Sequence, residues 1–236
     1  MRSPPAEDRP CGTTRAYAKG QCRVLASNRQ AETINRERLD AIPGGVYRIQ
    51  GEAQGAFNDN DMRVPPELRM KPGARVIFCA NDPDGAFHNG STGIFLRAKR
   101  DERGRPEADV RLDDGREVTV RRHVWDAVDY EYDERTRELN RDVVGRCTQL
   151  PILPGWAITI HRSQGMTLPN MHLDPSCIFA PGQLYVGLSR APSLAGLSLA
   201  APVTEGHVLH DHRVRQYQAK LFGQPESAPD ETPVPA

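Results

Sequence analysis

Trp156–Thr167 reads WAITIHRSQGMT, and Gly182–Leu199 reads GQLYVGLSRAPSLAGLSL. In the first stretch, Trp156–Ile160 is an apolar run of strand length. It delivers Thr159 and His161 to the C-terminal end of that strand. In open α/β sheets, ligands collect at this edge. A hydroxyl and an imidazole there can bind phosphate oxygens, and so can the backbone N–H groups of the Ser163-Gln164-Gly165 loop. Read alone, the same residues are equally a strand followed by a polar turn. In the second stretch, Gly182–Ser189 predicts a helix, with Leu184 and Leu188 one turn apart on its sheet-facing side. Gly196–Ala200 reads as the next strand. Arg190 sits at the helix end, where a planar, permanently charged guanidinium can grip phosphate bidentately. The plainer role for it is a surface arginine assisting the last helical carbonyls.

Outward from these segments the same α/β grammar recurs. Val24, Leu25 and Ala26 make a short apolar strand. Ser27 and Gln30 read as a capping box, and Ala31, Ile34 and Leu39 recur at helical spacing. Pro43-Gly44-Gly45 ends the helix. Residues 71–125 have another texture. Ala74–Cys79 (ARVIFC) predicts a buried strand, and Asn89-Gly90 a turn. Gly93–Leu96 and Asp109–Leu112 are strand-like, and Asp114-Gly115 is a hairpin turn leading to Glu117–Val120. Short strands joined by tight turns suggest a small β-barrel. The expected architecture is an α/β domain in two sequence pieces, residues 21–64 and 148–222, with a β-barrel region inserted at 65–147. Residues 1–20 and 223–236 lack periodicity and are expected to be disordered.

Composition narrows the functional classes. The 236 residues carry 31 Lys+Arg and 31 Asp+Glu, a formal net charge of zero. A polybasic nucleic-acid sponge is excluded, although a local basic groove is not. Hydrophobic residues make up 38% of the chain, enough for a globular core. No run approaches eighteen apolar residues, and Met1–Pro10 is polar and Pro-rich, so neither a membrane span nor a signal peptide is expected. The expected location is cytoplasmic. The five cysteines, at 11, 22, 79, 147 and 177, are odd in number and contain no CxxC. They read as reduced thiols. His207, His210, Asp211 and His212 read as a solvated turn, and no metal site is assigned. Aromatic residues are only 6% of the chain, which argues against a broad base-stacking platform. A hydrolase built on Ser163 and His161 lacks a nucleophile elbow and an orienting acid.

Taken together, the two dense segments resemble the C-terminal half of RecD-like superfamily-one DNA helicases. Thr159–Gly165 (TIHRSQG) resembles the TIHKSQG-type motif V of that family, and Gln183–Arg190 (QLYVGLSR) resembles its QLYVALSR-type motif VI. Ser27–Leu39 is similar to the motif IV region. Pro65–Asp82 and Asn89–Phe95 are similar to the barrel inserted in the second RecA-like domain. The resemblance spans roughly residues 22–203. It implies a RecA-like parallel sheet domain in two pieces with an inserted small SH3-like β-barrel, of the UvrD-like C-terminal type. It implies that Arg190 is the catalytic arginine reaching the γ-phosphate of ATP bound between two RecA-like domains. Gln164 and Gly165, with Arg190, would lie at the nucleotide. Thr159, His161 and Ser163 would face single-stranded DNA, joined by Asn28. Two departures stand out: Arg162 replaces a common Lys, and Gly187 a common Ala, which weakens the helix by about 1 kcal/mol.

A helicase motor also needs a Walker A loop, GxxxxGK[ST]. The four lysines, Lys19, Lys71, Lys99 and Lys220, follow Ala18, Met70, Ala98 and Ala219, so this sequence holds no GK pair. For Walker B, Asp133-Glu134 and Asp101-Glu102 are the candidates, and both lie in charged stretches. The expectation is therefore a motor fragment inactive alone, so whether the chain is an enzyme stays open. ATP and Mg2+ would enter only with a Walker-bearing domain supplied by another chain. The expected partners are single-stranded DNA and such a separate polypeptide, in DNA repair or recombination. The alternative is a non-enzymatic DNA- or protein-binding module derived from a helicase.

Overall fold

The computed structural model describes residues 20–55, 64–133, 135 and 137–222. The disorder expected at 1–19 and 223–236 lies outside the described residues. The chain starts with β1 (Cys22–Leu25) and α1 (Asn28–Asp40). Next come β2 (Tyr47–Gln50), β3 (Glu52–Gly55), β4 (Glu67–Met70) and β5 (Arg75–Phe78). A meander follows: β6 (Thr92–Arg100), β7 (Pro106–Leu112) and β8 (Glu117–Val120). Two long strands, β9 (His123–Asp133) and β10 (Glu138–Gln149), form a hairpin. The chain then returns through β11 (Ile152–Pro154), β12 (Ala157–Thr159) and β13 (Met171–Leu173). It ends with α2 (Gln183–Leu188), β14 (Leu197–Leu199) and α3 (His212–Phe222). Among the described residues, no helix is long and apolar enough to cross a membrane.

The parallel sheet has the order β12-β1-β13-β14. All three pairings are parallel, so one strand from the first sequence piece lies between strands of the second. This is the mixed α/β domain expected. β12, β1 and β13 are short and largely buried, which is why they read as apolar runs without alternation, while β14 at the edge is only partly buried. Ser27 is the N-cap of α1, but its side chain makes no capping hydrogen bond, so the capping box is not formed.

The intervening residues form antiparallel sheets. Five strands run in the order β11-β5-β6-β7-β8, three in the order β3-β10-β9, and β2 pairs with β4. β5 belongs to two cores at once. Val76 and Phe78 point into the core shared by β2, β4, β6, β7 and β8, whereas Ile77, with Cys79 just beyond, points into the core of the parallel sheet. A period of two on a strand buried from both sides produces this, and it explains the unbroken ARVIFC run. Gly155 lets β5 do so. Its N–H donates to the Arg75 carbonyl at 2.8 Å. A Cβ there would stand 2.6 Å from the Val76 carbonyl carbon, closer than real contacts allow.

Polar groups knit the pieces. The Gln149 side chain is fully buried; its amide donates to the carbonyls of Ile49 at 3.1 Å and Pro66 at 3.0 Å and accepts from the Leu150 N–H at 2.9 Å. Lys71 donates to the Asp40 and Ile42 carbonyls at the end of α1, at 3.2 and 2.7 Å. Cys22, Cys79 and Cys147 are buried thiols outside any disulfide, and burial pushes the Cys22 thiol up to about 12. The expectation of five reduced thiols fails at Cys177, which is disulfide-bonded.

Two outcomes follow. Gly155→Ala pushes the chain between β11 and β12 off β5 and lowers unfolding free energy by about 2 kcal/mol, read from urea unfolding of the full chain. His172 on β13 is buried against the Ser198 hydroxyl at 2.8 Å; burial, then the nearby Arg23 charge, holds its pKa below the ordinary 6.5. The native imidazole resists the proton that the unfolded chain accepts. Stability is therefore full above pH 6.5 and declines as pH falls toward the depressed folded value. His172→Gln flattens that decline in unfolding measured from pH 7 to 5.

Candidate nucleic-acid and nucleotide interface

β1 and β12 finish side by side, with Leu25 in register with Thr159. The start of α1 and the Thr159–Gly165 loop therefore emerge at one sheet edge. Asn28 opens α1 and is exposed. Thr159 is buried at the last strand position; its hydroxyl accepts the Arg162 N–H at 3.3 Å and its carbonyl the Ser163 N–H at 2.9 Å. His161, Arg162, Gln164 and Gly165 are exposed, and Gly165 has φ +76°. The structure thus turns His161, Arg162 and Gln164 outward together.

Ser163 is a correction. It has no exposed surface, and its hydroxyl donates to the Ile160 carbonyl at 2.8 Å. The side chain closes the turn and does not offer a DNA contact. Residues two apart on a strand point the same way, but the chain leaves strand geometry after Thr159, so His161 and Ser163 diverge.

Beside this edge lies a groove of about 530 Å³ between α1, β4 and β12. Asn28, Arg36, Arg69, Thr159 and Arg162 are among its lining residues, over an apolar floor that includes Leu39 and Ile158. Glu67 also lines it, but Arg48 and Gln50 engage its carboxylate at 3.0 and 2.8 Å. Glu32 and Asp40 line it as well, so the groove mixes the arginines Arg36, Arg69 and Arg162 with carboxylates and amides. Asn35 shapes it. Its side-chain amide donates to the Ala157 carbonyl at 2.8 Å and accepts the Ala157 N–H at 2.9 Å. That pair covers the otherwise open edge of β12. A polar amide in mid-helix, where it disfavours helix, was the available signal for this residue.

Arg190 follows α2 and is half-buried. Its Nε donates to the Val186 carbonyl at 3.0 Å and its Nη2 to the Ser189 hydroxyl at 2.8 Å; that hydroxyl donates to the same carbonyl at 3.0 Å. No ion pair of Arg190 with a carboxylate occurs among the described residues. In this structure the guanidinium serves its own helix end, the plainer of the two roles. Its carbonyl accepts the Leu168 N–H at 2.9 Å, which ties α2 to the far end of the Thr159–Gly165 loop. Sequence reasoning also missed Gln183, whose buried Oε1 accepts the N–H groups of Phe179 and Ala180 at 3.0 and 3.3 Å. Around His207–His212 the contacts are local: His207 meets Thr204, and Asp211 pairs with Arg213 at 3.0 Å. Among the described residues, no group of three or more His, Cys, Asp or Glu is arranged to hold a metal ion.

Replacing Asn35 by Ala leaves both polar groups of Ala157 without their partner. The expected cost is about 2 kcal/mol of stability, with faster amide exchange at Ala157 as the local readout.

No protein-family model matches the chain. It is 35% identical over 182 residues to the ATP-dependent DNA helicase Pif1 of Bdellovibrio bacteriovorus, covering 75% of this chain and 38% of that protein. It is 30% identical over 174 residues to Pif1 of Campylobacter jejuni, covering 70% and 38%. Human PIF1 is 32% identical over 168 residues, covering 69% and 24%. Among solved structures, Bacteroides Pif1 in complex with ADP-AlF4 superposes with a TM-score of 0.72 at 27% identity, covering 89% of this chain and 46% of that one. Bacteroides Pif1 bound to ssDNA gives 0.58 at 27% identity, covering 92% and 48%. The chain spans less than half the length of each of these relatives. Over about 70% of this chain, its homologues are Pif1-family superfamily-one DNA helicases.

Proposed function

We propose that this chain is the C-terminal motor portion of an ATP-dependent DNA helicase, with the second RecA-like domain carrying a single-stranded DNA face and the motif VI arginine. One observation carries this reading: a single sheet edge gathers Asn28, the Thr159–Gly165 loop and, through the Leu168–Arg190 backbone bond, the end of α2. Asn28 and His161 hold the DNA backbone, assisted by Arg162, while the buried Thr159, expected from the sequence to face DNA, holds the Arg162 N–H instead. Gln164, Gly165 and Arg190 face the nucleotide. Within the superfamily we place the chain near the RecD-like branch. We read the inserted sheets as an SH3-like barrel, supported by the single core that β2 and β4 share with β5 to β8.

The ATP site of such a motor lies between two domains, and this chain contributes the Arg190 side. These 236 residues hold no GK pair, so ATP and Mg2+ come into play where a Walker-bearing domain faces Arg190, here read as supplied by a partner. Arg190 then leaves the Val186 carbonyl for the γ-phosphate and stabilises charge developing there. The setting is DNA repair or recombination in the cytoplasm. A second reading, a helicase-derived DNA- or protein-binding module, draws on the β9–β10 hairpin, where Tyr130, Tyr132 and Leu139 are exposed on one face.

The purified chain is expected to bind oligo-dT weakly and to lose affinity as salt rises, because phosphate contacts release counterions. His161→Ala weakens that binding. ATPase appears when a Walker-bearing partner is added, and Arg190→Ala lowers it by roughly 10³-fold. Robust Mg-dependent hydrolysis by the chain alone sinks the one-sided site. DNA or protein binding indifferent to Arg190, with no ATPase under any pairing, selects the module.

A further inference from the structure

We infer that the Asn89-Gly90 turn of the inserted sheet positions the Thr159–Gly165 loop, with Asn89 as the positioning residue. The inference rests on the proposed DNA-binding role of that loop. It assigns to the insertion a direct hold on the motif V backbone.

The turn is anchored from β5. Gly90 N–H donates to the Phe78 carbonyl at 2.9 Å, and Phe78 N–H donates to the Ser91 carbonyl at 2.9 Å. Asn89 N–H donates to the Asn81 side-chain oxygen at 2.8 Å. From this base the turn reaches across sequence to the loop. Asn89 Nδ2 donates to the Gly165 carbonyl at 3.3 Å, and the Asn89 carbonyl accepts the Thr167 N–H at 3.5 Å. One residue thus ties both ends of Gly165-Met166-Thr167.

Steric fit says the same independently. Gly90 has φ +95°, and a Cβ there would lie 2.4 Å from the Thr167 carbonyl oxygen. The two backbones touch, with no room for a side chain between them. Gly165 itself is held at φ +76°, a conformation that side chains rarely adopt. The Asn89 amide also has a decided orientation. Reversing it would set its oxygen against the Gly165 carbonyl. In the observed orientation its Oδ1 is buried without a hydrogen-bond partner. The inner side of the loop is thereby clamped while His161, Arg162 and Gln164 remain outward.

The test uses the full chain and fluorescein-labelled oligo-dT. Asn89→Asp exchanges the amide donor for an acceptor at nearly unchanged size. It is expected to weaken oligo-dT binding about tenfold. It is also expected to be non-additive with His161→Ala, since both act through one loop, while adding normally to Asn28→Ala on α1. Strict additivity with His161→Ala overturns the inference. Amide hydrogen exchange gives a readout independent of DNA: peptides covering 163–167 should exchange faster in Asn89→Asp, with 92–100 on β6 unchanged. Unaltered exchange at 163–167 overturns the positioning role. A wild-type chain that binds no oligo-dT sinks the DNA-binding role alone, and the exchange result still decides the clamp. Asn89→Ser, which deletes the amide but keeps a turn-forming residue, replaces Asn89→Asp if the latter does not fold.

Discussion

β5 is the constraint on which the rest depends. Val76 and Phe78 point into one core, Ile77 and the following Cys79 into the other. A strand in that position cannot slip by one residue, because the slip would exchange the two sets of side chains. Its register therefore fixes the inserted sheets against the parallel sheet. Gly155 sharpens the constraint by bringing the chain back against the Val76 backbone just before β12. The strand that ends in Thr159 is thus placed by contact with the insertion as well as by its pairing with β1. The bonds from Phe78 to Gly90 and Ser91 carry the same placement on to the turn that meets Gly165.

Buried polar groups then specify what apolar packing leaves free. Gln149 alone joins the end of β10 to the carbonyls of Ile49 and Pro66. Apolar contacts are non-directional, so they permit small rotations of one sheet on another; an amide with fixed partners does not. Lys71 acts similarly at the end of α1, where its ammonium caps carbonyls that the helix leaves unpaired. Removing either partner costs more than the bond contributes, because the group left behind stays dry. The groove beside α1 inherits its width from these joints.

Legibility in the sequence followed burial. Cys22–Leu25, Ala157–Thr159 and the ARVIFC run were readable because strands buried on both faces are mainly apolar and show no strict alternation. Asp114-Gly115 and Asn89-Gly90 were readable as turns because glycine there adopts positive φ. The β9–β10 hairpin was not legible. Most of its outer half is exposed on both faces, so the YEYDERTREL stretch shows no apolar periodicity and reads as loop. Asn35 was also hidden, since its partner Ala157 is 122 residues away and no local rule links them. At the site, the edge position of Thr159 and His161 was legible from strand length. The inward hydroxyl of Ser163 was not, because the turn after Thr159 breaks the period of two.

Arg190 shows how one side chain can serve two structures without conflict. At rest it bonds a neutral carbonyl and a hydroxyl at its own helix end. Hydrogen bonds of a guanidinium to phosphate are charged on both sides and roughly twice as strong as neutral ones. A carboxylate partner would have held the arginine against that exchange, and none pairs with it among the described residues. The Val186 carbonyl does not lose all its partners when Arg190 leaves, because the Ser189 hydroxyl also donates to it. A modest resting bond keeps the side chain ordered and near the end of α2, which lowers the entropy lost when a phosphate is gripped. In the proposed motor, this resting arrangement leaves Arg190 free to be drawn to a nucleotide, and Ser189 keeps the Val186 carbonyl satisfied when it leaves.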